Sequence, residues 1–242
     1  MPTQFDSNSR EPIIRLAESD VASLLRQPES GMGYQFTEAT FFDGSVKTGI
    51  AYNSELFVPG NDLLALSNEA IFEGLVRAAN RETGYLIKSI RVTYGPPVAV
   101  ANIMERISAF SAEQRLDMRA KGKPAKENPQ EPSKKDEVFL RFCAYQNDRR
   151  INPDGSLLPG TYATTFLDGN QVKTGTEAVE RYALPDPKPA SYRFWLYPPE
   201  RTVIRRGIVE PAFGHKGGGV EVVFDNGAPA GTKKHQDKIA DK

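Results

Sequence analysis

The alternation of hydrophobic and polar residues in the first half of the chain predicts a small β-sheet. Two strands are predicted over residues 34–42 and 46–52, and Asp43-Gly44 between them is a strong hairpin-turn signal. Residues 85–94 are rich in strand-forming side chains, which predicts a third strand.

Three other segments of the first half place their hydrophobic residues at helical spacing. They predict a short helix over residues 20–26 and longer helices over 67–80 and 101–119. We expect these helices to cover one face of the sheet.

The second half reads mainly as strands. Residues 138–145, 192–197 and 220–224 are predicted strands, and one or two helical turns are predicted over residues 176–182. The polar tail over residues 232–242 is expected to be frayed. The predicted class is therefore α+β, with small mixed or antiparallel sheets, few helices and a second half that is mostly β.

Residues 121–136 are rich in proline and charge and contain one small apolar residue. Such a segment is expected to bury little surface, which predicts an exposed linker or a long mobile loop. It would separate an N-terminal α+β region, residues 1–120, from a second domain, residues 137–242. The N-terminal region contains no motif with recognisable chemistry, so its role is left open.

Composition narrows the possible functions. The 31 basic and 31 acidic residues balance, which disfavours nucleic-acid binding by bulk electrostatics. Cys143, the single cysteine, lies in an apolar run and is predicted to be a buried structural thiol. Since no window approaches the roughly 20 apolar residues of a membrane span and no signal peptide is visible, we expect a soluble protein. It would be cytoplasmic or secreted by a route without a classical signal peptide.

The segment most informative about function contains three consecutive glycines, Gly217, Gly218 and Gly219, directly before a predicted strand. Glycines in a row are favoured where a ligand or another backbone segment approaches closely. An ordinary glycine-rich hairpin loop is the alternative. No metal site is predicted, because no His, Asp and Glu cluster has ligand spacing.

These glycines belong to a motif that resembles a known family. Residues 211–221, Pro-Ala-Phe-Gly-His-Lys-Gly-Gly-Gly-Val-Glu, look like the closing motif of the tuberculosis necrotizing toxin domain, roughly Trp-Phe-Gly-Gln-Pro-Gly-Gly-Gly, one residue, then Gln. Residues 181–185, Arg-Tyr-Ala-Leu-Pro, are similar to its Arg-Ala-Leu-Pro segment. Arg150 followed by residues 155–161 resembles its arginine, glycine and Leu-x-Pro-x-Gly-Thr. The order agrees from about residue 138 to 232.

The resemblance implies a NAD⁺ and NADP⁺ glycohydrolase whose fold is distantly related to that of ADP-ribosyltransferases. The dinucleotide is the substrate, so no cofactor is expected. Glu221 would be the catalytic residue, where the family has glutamine. The expected substrate-binding residues are Arg150, Arg181, Phe213 (as the ring that stacks on nicotinamide), Gly217, Gly218 and Gly219.

The chemistry of these residue types suits the implied reaction. A guanidinium fork can hold two pyrophosphate oxygens, and a carboxylate can stabilise an oxocarbenium-like ribose. The alternatives are solvated surface arginines, with Arg149 a rival to Arg150, and an ordinary strand with Glu221 on its wet face. His215, which replaces a glutamine of the family, is either a proton carrier or a plain loop residue.

The leading hypothesis is hydrolysis of NAD⁺ or NADP⁺ by a toxin or effector. Residues 1–120 would then serve delivery, partner binding or regulation, and an immunity or delivery protein would be a partner. ADP-ribosyl transfer to a macromolecule is the first alternative, favoured by glutamate at position 221. A non-enzymatic binding module is the second.

Overall fold

A computed structural model of the protein describes residues 13–60, 87–93, 122–185 and 189–240. Within these ranges the chain forms two antiparallel sheets with few helices, which confirms the α+β class. The helices predicted over 67–80 and 101–119 lie outside the described residues. No helix in the described ranges is both long and apolar enough to cross a bilayer.

The first sheet has five strands, in the spatial order β1-β4-β3-β2-β5. The predicted hairpin is confirmed as β2 and β3, where the Asp43 carboxylate accepts a hydrogen bond from the Ser45 N–H at 2.8 Å. The helix expected over residues 20–26 is confirmed as α1 and packs on one face of the sheet. The elements are β1 Ile14–Arg15, α1 Glu18–Leu25, β2 Tyr34–Phe41, β3 Val46–Tyr52, β4 Leu56–Pro59 and β5 Ile87–Val92.

The second sheet has seven strands, in the spatial order β12-β9-β7-β8-β11-β10-β6. A 3₁₀ turn, Ala125–Glu127, precedes its first strand. The predicted strands over 138–145, 192–197 and 220–224 are confirmed as β7, β9 and β11. The elements are β6 Glu131–Pro132, β7 Phe139–Cys143, β8 Thr161–Thr165, α2 Phe166–Gly169, α3 Gly175–Tyr182, β9 Tyr192–Tyr197, β10 Val203–Ile208, β11 Val220–Phe224 and β12 Lys233–Lys238.

The central strands of the second sheet are buried on both faces. On one face Cys143 packs with Phe139, Val222 and Phe224, which confirms the predicted buried thiol. The helix α3 covers the other face. Its N-terminus is closed by a capping box between Thr174 and Glu177, as expected for a Thr-x-x-Glu sequence.

Most side chains of residues 122–136 are exposed, as expected, but the segment is fixed to the second sheet. From residue 122 onwards the segment lies on the second sheet, with Ala125 and Ser133 buried. β6 pairs with β10, and the Ser133 N–H donates to the Thr202 carbonyl at 2.8 Å. Composition predicts the low burial but does not reveal these backbone contacts with partners distant in sequence. The boundary between two domains at this segment stays a prediction.

The expectation of a frayed tail is also wrong over β12. This strand pairs with β9 at six successive positions and forms one edge of the second sheet. Every residue of β12 is polar or charged. Charged residues are common on edge strands, and the strand is held here by its backbone pairing with β9.

A buried ion-pair network joins the two halves of the chain. The Arg141 guanidinium on β7 donates to the Glu29 carboxylate at 2.8 and 2.9 Å and to Asp148 at 2.6 Å. Glu29 also accepts the N–H of Tyr162 at 3.0 Å. The loop between α1 and β2 is thus held against the second sheet.

Candidate functional site

A cavity of about 370 Å³ lies where the two halves meet. The loop before β2, the 3₁₀ turn, β8, α3 and β11 all contribute to its lining. Its aromatic and titratable side chains are Tyr34, Phe36, Lys126, Glu127, Tyr162, Tyr182, Glu210 and Glu221. Ser30, Gly31, Met32, Tyr34 and Phe36 line this cavity, so the N-terminal half contributes to it.

Glu221 reaches the cavity because of its position on β11. Its register partner on β10 is Gly207. A Cβ at position 207 would lie 2.1 Å from the Ala125 nitrogen, so only glycine allows the 3₁₀ turn to cross β10 at this point. From there the Ala125 N–H donates to Glu221 Oε1 at 2.6 Å and orients the carboxyl group.

The surroundings of Glu221 raise the pKa of its carboxyl group to about 7. The main cause is burial, which disfavours the charged form, and the nearby carboxylate of Glu210 adds to it. The Ala125 N–H and the ammonium of Lys126 act in the opposite direction. A carboxyl group with this pKa changes charge near neutral pH.

Lys126 and two tyrosines surround Glu221. The Lys126 Nζ donates to the Glu29 carbonyl at 2.8 Å and lies 5.2 Å from the centre of the Tyr162 ring. Burial lowers the pKa of Lys126, while Glu221 and Glu29 raise it. Burial raises the pKa of both Tyr34 and Tyr162, with Glu221 as a further cause. Both phenols therefore remain protonated donors at neutral pH.

The three glycines of the motif each form a backbone hydrogen bond with another segment of the protein. Gly217 and Gly219 donate their N–H groups to the carbonyls of Glu180 and Arg181 at the end of α3, each at 3.0 Å. Gly218 donates to the Val209 carbonyl at 2.9 Å. The glycine run therefore packs against other backbone segments of the protein, and a substrate-binding role for these glycines stays a prediction.

The structure does not bring the two predicted arginines to the Glu221 cavity. Arg150 is fully buried, and its guanidinium donates to backbone carbonyls of Leu25, Gln27 and Pro159. Arg181 forms a bidentate ion pair with Asp168, with Nε at 3.0 Å from Oδ2. It lines, with Gly217, a separate surface cavity. A substrate-binding role for either arginine stays a prediction.

Phe213 does not line the Glu221 cavity but packs against two residues that do. Its ring is 5.2 Å from that of Tyr34 in an edge-to-face arrangement, and it also contacts Phe36. Tyr34 and Phe36 themselves line the cavity, so Phe213 supports the two rings that a ligand would meet. The backbone φ of Phe213 is +53°, a left-handed conformation that this residue type rarely adopts.

His215 has a partner distant in sequence. Its Nδ1 lies 2.9 Å from Glu180 Oε1 on α3. It does not line the Glu221 cavity and fastens the glycine loop to the helix. Among the described residues no group of three His, Cys, Asp or Glu side chains is arranged to hold a metal ion.

Of the residues that line this cavity, the sequence singled out Glu221 but not Lys126, Tyr34 or Tyr162. Lys126 lies in the segment interpreted as a linker, Tyr34 lies outside the motifs of the resemblance, and Tyr162 directly follows the Gly-Thr of one of them. An available signal was the Thr-Tyr-Ala-Thr-Thr run at residues 161–165, whose strand-forming residues predict β8 next to the Gly-Thr of the resemblance.

The chain was also compared with known proteins. No family model matches it, no curated protein matches it significantly, and no solved structure matches its fold significantly. The likeness to NAD glycohydrolases therefore rests on the motifs between residues 138 and 232.

Proposed function

We propose that the protein cleaves the bond between nicotinamide and ribose in NAD⁺ or NADP⁺, with Glu221 as the catalytic carboxylate. The observation that supports this most is the Glu221 carboxyl group, which faces a cavity and has a pKa near 7. Perturbed carboxyl groups in clefts are frequent at catalytic sites. The substrate class comes from the resemblance of the glycine motif.

The reaction breaks the bond between ribose C1′ and the nicotinamide nitrogen. Nicotinamide leaves with the bonding electron pair, and the ribose becomes oxocarbenium-like until the oxygen of a water molecule bonds to C1′. Ionised Glu221 would stabilise the positive charge and accept a proton from that water. A base with a pKa near the working pH is suited to this role.

The lining of the cavity suits one end of the dinucleotide. Tyr34 and Phe36 supply aromatic surface for the nicotinamide ring, and the phenol groups can donate to ribose oxygens. The volume of about 370 Å³ is at the small end of the roughly 300–1,000 Å³ of ligand pockets. We infer that the nicotinamide riboside end enters and that the rest of the dinucleotide lies outside.

ADP-ribosyl transfer to a macromolecule is the second candidate. It is favoured by one observation, namely that position 221 is a glutamate where the resembling hydrolases have a glutamine. Either activity would suit a toxin or effector that consumes dinucleotide or modifies a target.

One assay of the full chain separates these activities. Purified protein is incubated with NAD⁺ or NADP⁺, and nicotinamide, free ADP-ribose product and labelled lysate macromolecules are quantified, with Glu221→Ala as the matched control. Hydrolysis predicts equal amounts of nicotinamide and free product without lysate. Transfer predicts nicotinamide release that requires lysate and labels it. No release under either condition contradicts both and leaves a binding module.

A further inference from the structure

The two arginines assigned by resemblance have their guanidinium groups bound to the protein itself. Arg150 is fully buried against backbone carbonyls, and Arg181 is paired with Asp168. Redirecting either group to a phosphate would require breaking these contacts. The Glu221 cavity therefore needs another cation if its ligand is a phosphorylated nucleoside.

The glycine loop does not offer a backbone site for phosphate. The N–H groups of Gly217, Gly218 and Gly219 all donate to carbonyls of the protein. An anion at this loop would have to compete with three intramolecular hydrogen bonds. These amides therefore differ from those of phosphate-binding loops, which point at the ligand.

Lys126 is the basic side chain among the described residues that line the Glu221 cavity. It is exposed to solvent, so a ligand can reach it without rearrangement of the core. One N–H of its ammonium donates to the Glu29 carbonyl, and Tyr162 lies under it. An ammonium group has three N–H donors, so donors remain for an anion.

We propose that Lys126 binds the phosphate next to the nicotinamide ribose and so selects phosphorylated nicotinamide nucleosides over the bare nucleoside. The 3₁₀ turn places this cation beside the carboxyl group, because Ala125 donates its N–H to Glu221 and Lys126 is the next residue. In the dinucleotide a phosphate follows the nicotinamide ribose. A ribose beside Glu221 would therefore place that phosphate near the exposed Lys126. The inference rests on the proposed function for the identity of the ligand.

The test compares full-length wild type with Lys126→Ala and Lys126→Arg. Binding of ADP-ribose is measured by calorimetry, and cleavage is measured with nicotinamide riboside, nicotinamide mononucleotide and NAD⁺. We expect Lys126→Ala to weaken ADP-ribose binding about tenfold to a hundredfold, the range for loss of one charge contact. Lys126→Arg should restore most of it. Cleavage by Lys126→Ala should fall more for the mononucleotide and NAD⁺ than for nicotinamide riboside, because the riboside has no phosphate and loses only the effect of Lys126 on the Glu221 carboxyl group. Lys123→Ala, exposed on the same segment, is the matched control.

The outcomes separate this inference from the proposed function. Unchanged ADP-ribose binding in a folded Lys126→Ala protein that still cleaves NAD⁺ overturns the inference alone. An equal loss of cleavage for riboside and mononucleotide also overturns it, since Lys126 would then act through Glu221. Lys126-dependent binding of ADP-ribose without any cleavage supports the inference and contradicts the proposed function. A wild-type protein that binds neither ADP-ribose nor the mononucleotide contradicts the inference.

Discussion

At the scale of single residues, burial of the Glu221 carboxyl group lowers the stability of the fold but gives the group a pKa suited to acid–base chemistry. Its carboxyl group is held in a poorly hydrated position by the Ala125 N–H, and burial raises its pKa to about 7. Residues that a protein keeps at such a cost often serve function rather than stability. The cost can be measured without knowing the substrate.

The first prediction concerns the stability of Glu221→Gln as a function of pH. In the unfolded chain the carboxyl group has a pKa near 4.5, and in the folded protein near 7. Between these values the folded state keeps a proton that the unfolded state releases, so the free energy of unfolding falls as pH rises. Above pH 7 the full cost, on the order of 3 kcal/mol, is present in the wild type and absent in the amide variant.

Urea denaturation at pH 4 to 8 would measure this difference. Glu221→Gln should gain stability relative to wild type as pH rises through this window, with the gain levelling off above pH 7. Glu200→Gln, at an exposed glutamate, serves as the control. A stability difference between Glu221→Gln and wild type that does not change with pH contradicts the account of Glu221.

At the scale of elements, the 3₁₀ turn over β10 completes the site. It brings the Ala125 N–H and the Lys126 side chain to Glu221, and it fits only because Gly207 has no Cβ. A glycine on one strand therefore determines how a distant segment packs and how the carboxyl group on the neighbouring strand is oriented.

The second prediction is that Gly207→Ala displaces the 3₁₀ turn. The new Cβ would overlap the Ala125 nitrogen at 2.1 Å, and because the overlap is with backbone, no side-chain rotation relieves it. We expect a loss of about 1–3 kcal/mol in the free energy of unfolding, typical of overpacking, and faster proteolysis within residues 122–136. Lys123→Ala should change neither quantity. Wild-type stability and protease resistance in Gly207→Ala would show that the turn is not fixed by this contact.

Elements with a clear local pattern were predictable from the sequence. The β2–β3 hairpin, α1, α3 and β11 each have a turn signal, a cap or an apolar run of their own. β6 and β12 were missed because they are held by pairing with partners distant in sequence. Likewise, Glu221 was singled out because it lies in a local motif, whereas Lys126 reaches the same cavity only through a tertiary contact.

At the scale of the whole molecule, the Glu29–Arg141–Asp148 network couples the two halves. These three side chains are buried, and they hold residues 30–36 in place to line the cavity. Removing Glu29 would take away the acceptor of the Tyr162 N–H and one of the two carboxylates paired with the buried Arg141. The network therefore links the stability of the fold to the integrity of the site.

The third prediction follows from this coupling. Glu29→Ala should lower the free energy of unfolding by about 3–5 kcal/mol, the scale for a broken buried pair. Trp195, the single tryptophan, lies on β9 in the second sheet, so its fluorescence reports the unfolding of that sheet. Glu38→Ala removes the exposed pair with Arg91 and should cost less than about 1 kcal/mol. A Trp195 transition that Glu29→Ala leaves unchanged would show that the halves unfold independently.

The central claim is that the Glu221 carboxylate promotes cleavage of the nicotinamide–ribose bond, and the pH dependence of kcat/KM for NAD⁺ tests it most directly. Wild type should show a rising limb with an apparent pKa near 7. Folded Glu221→Gln and Glu221→Ala should lack that limb, with rates at pH 8 lower by about 10²–10³. Wild-type rates in folded Glu221→Ala, or a wild-type rate independent of pH between 5 and 8, would contradict the claim.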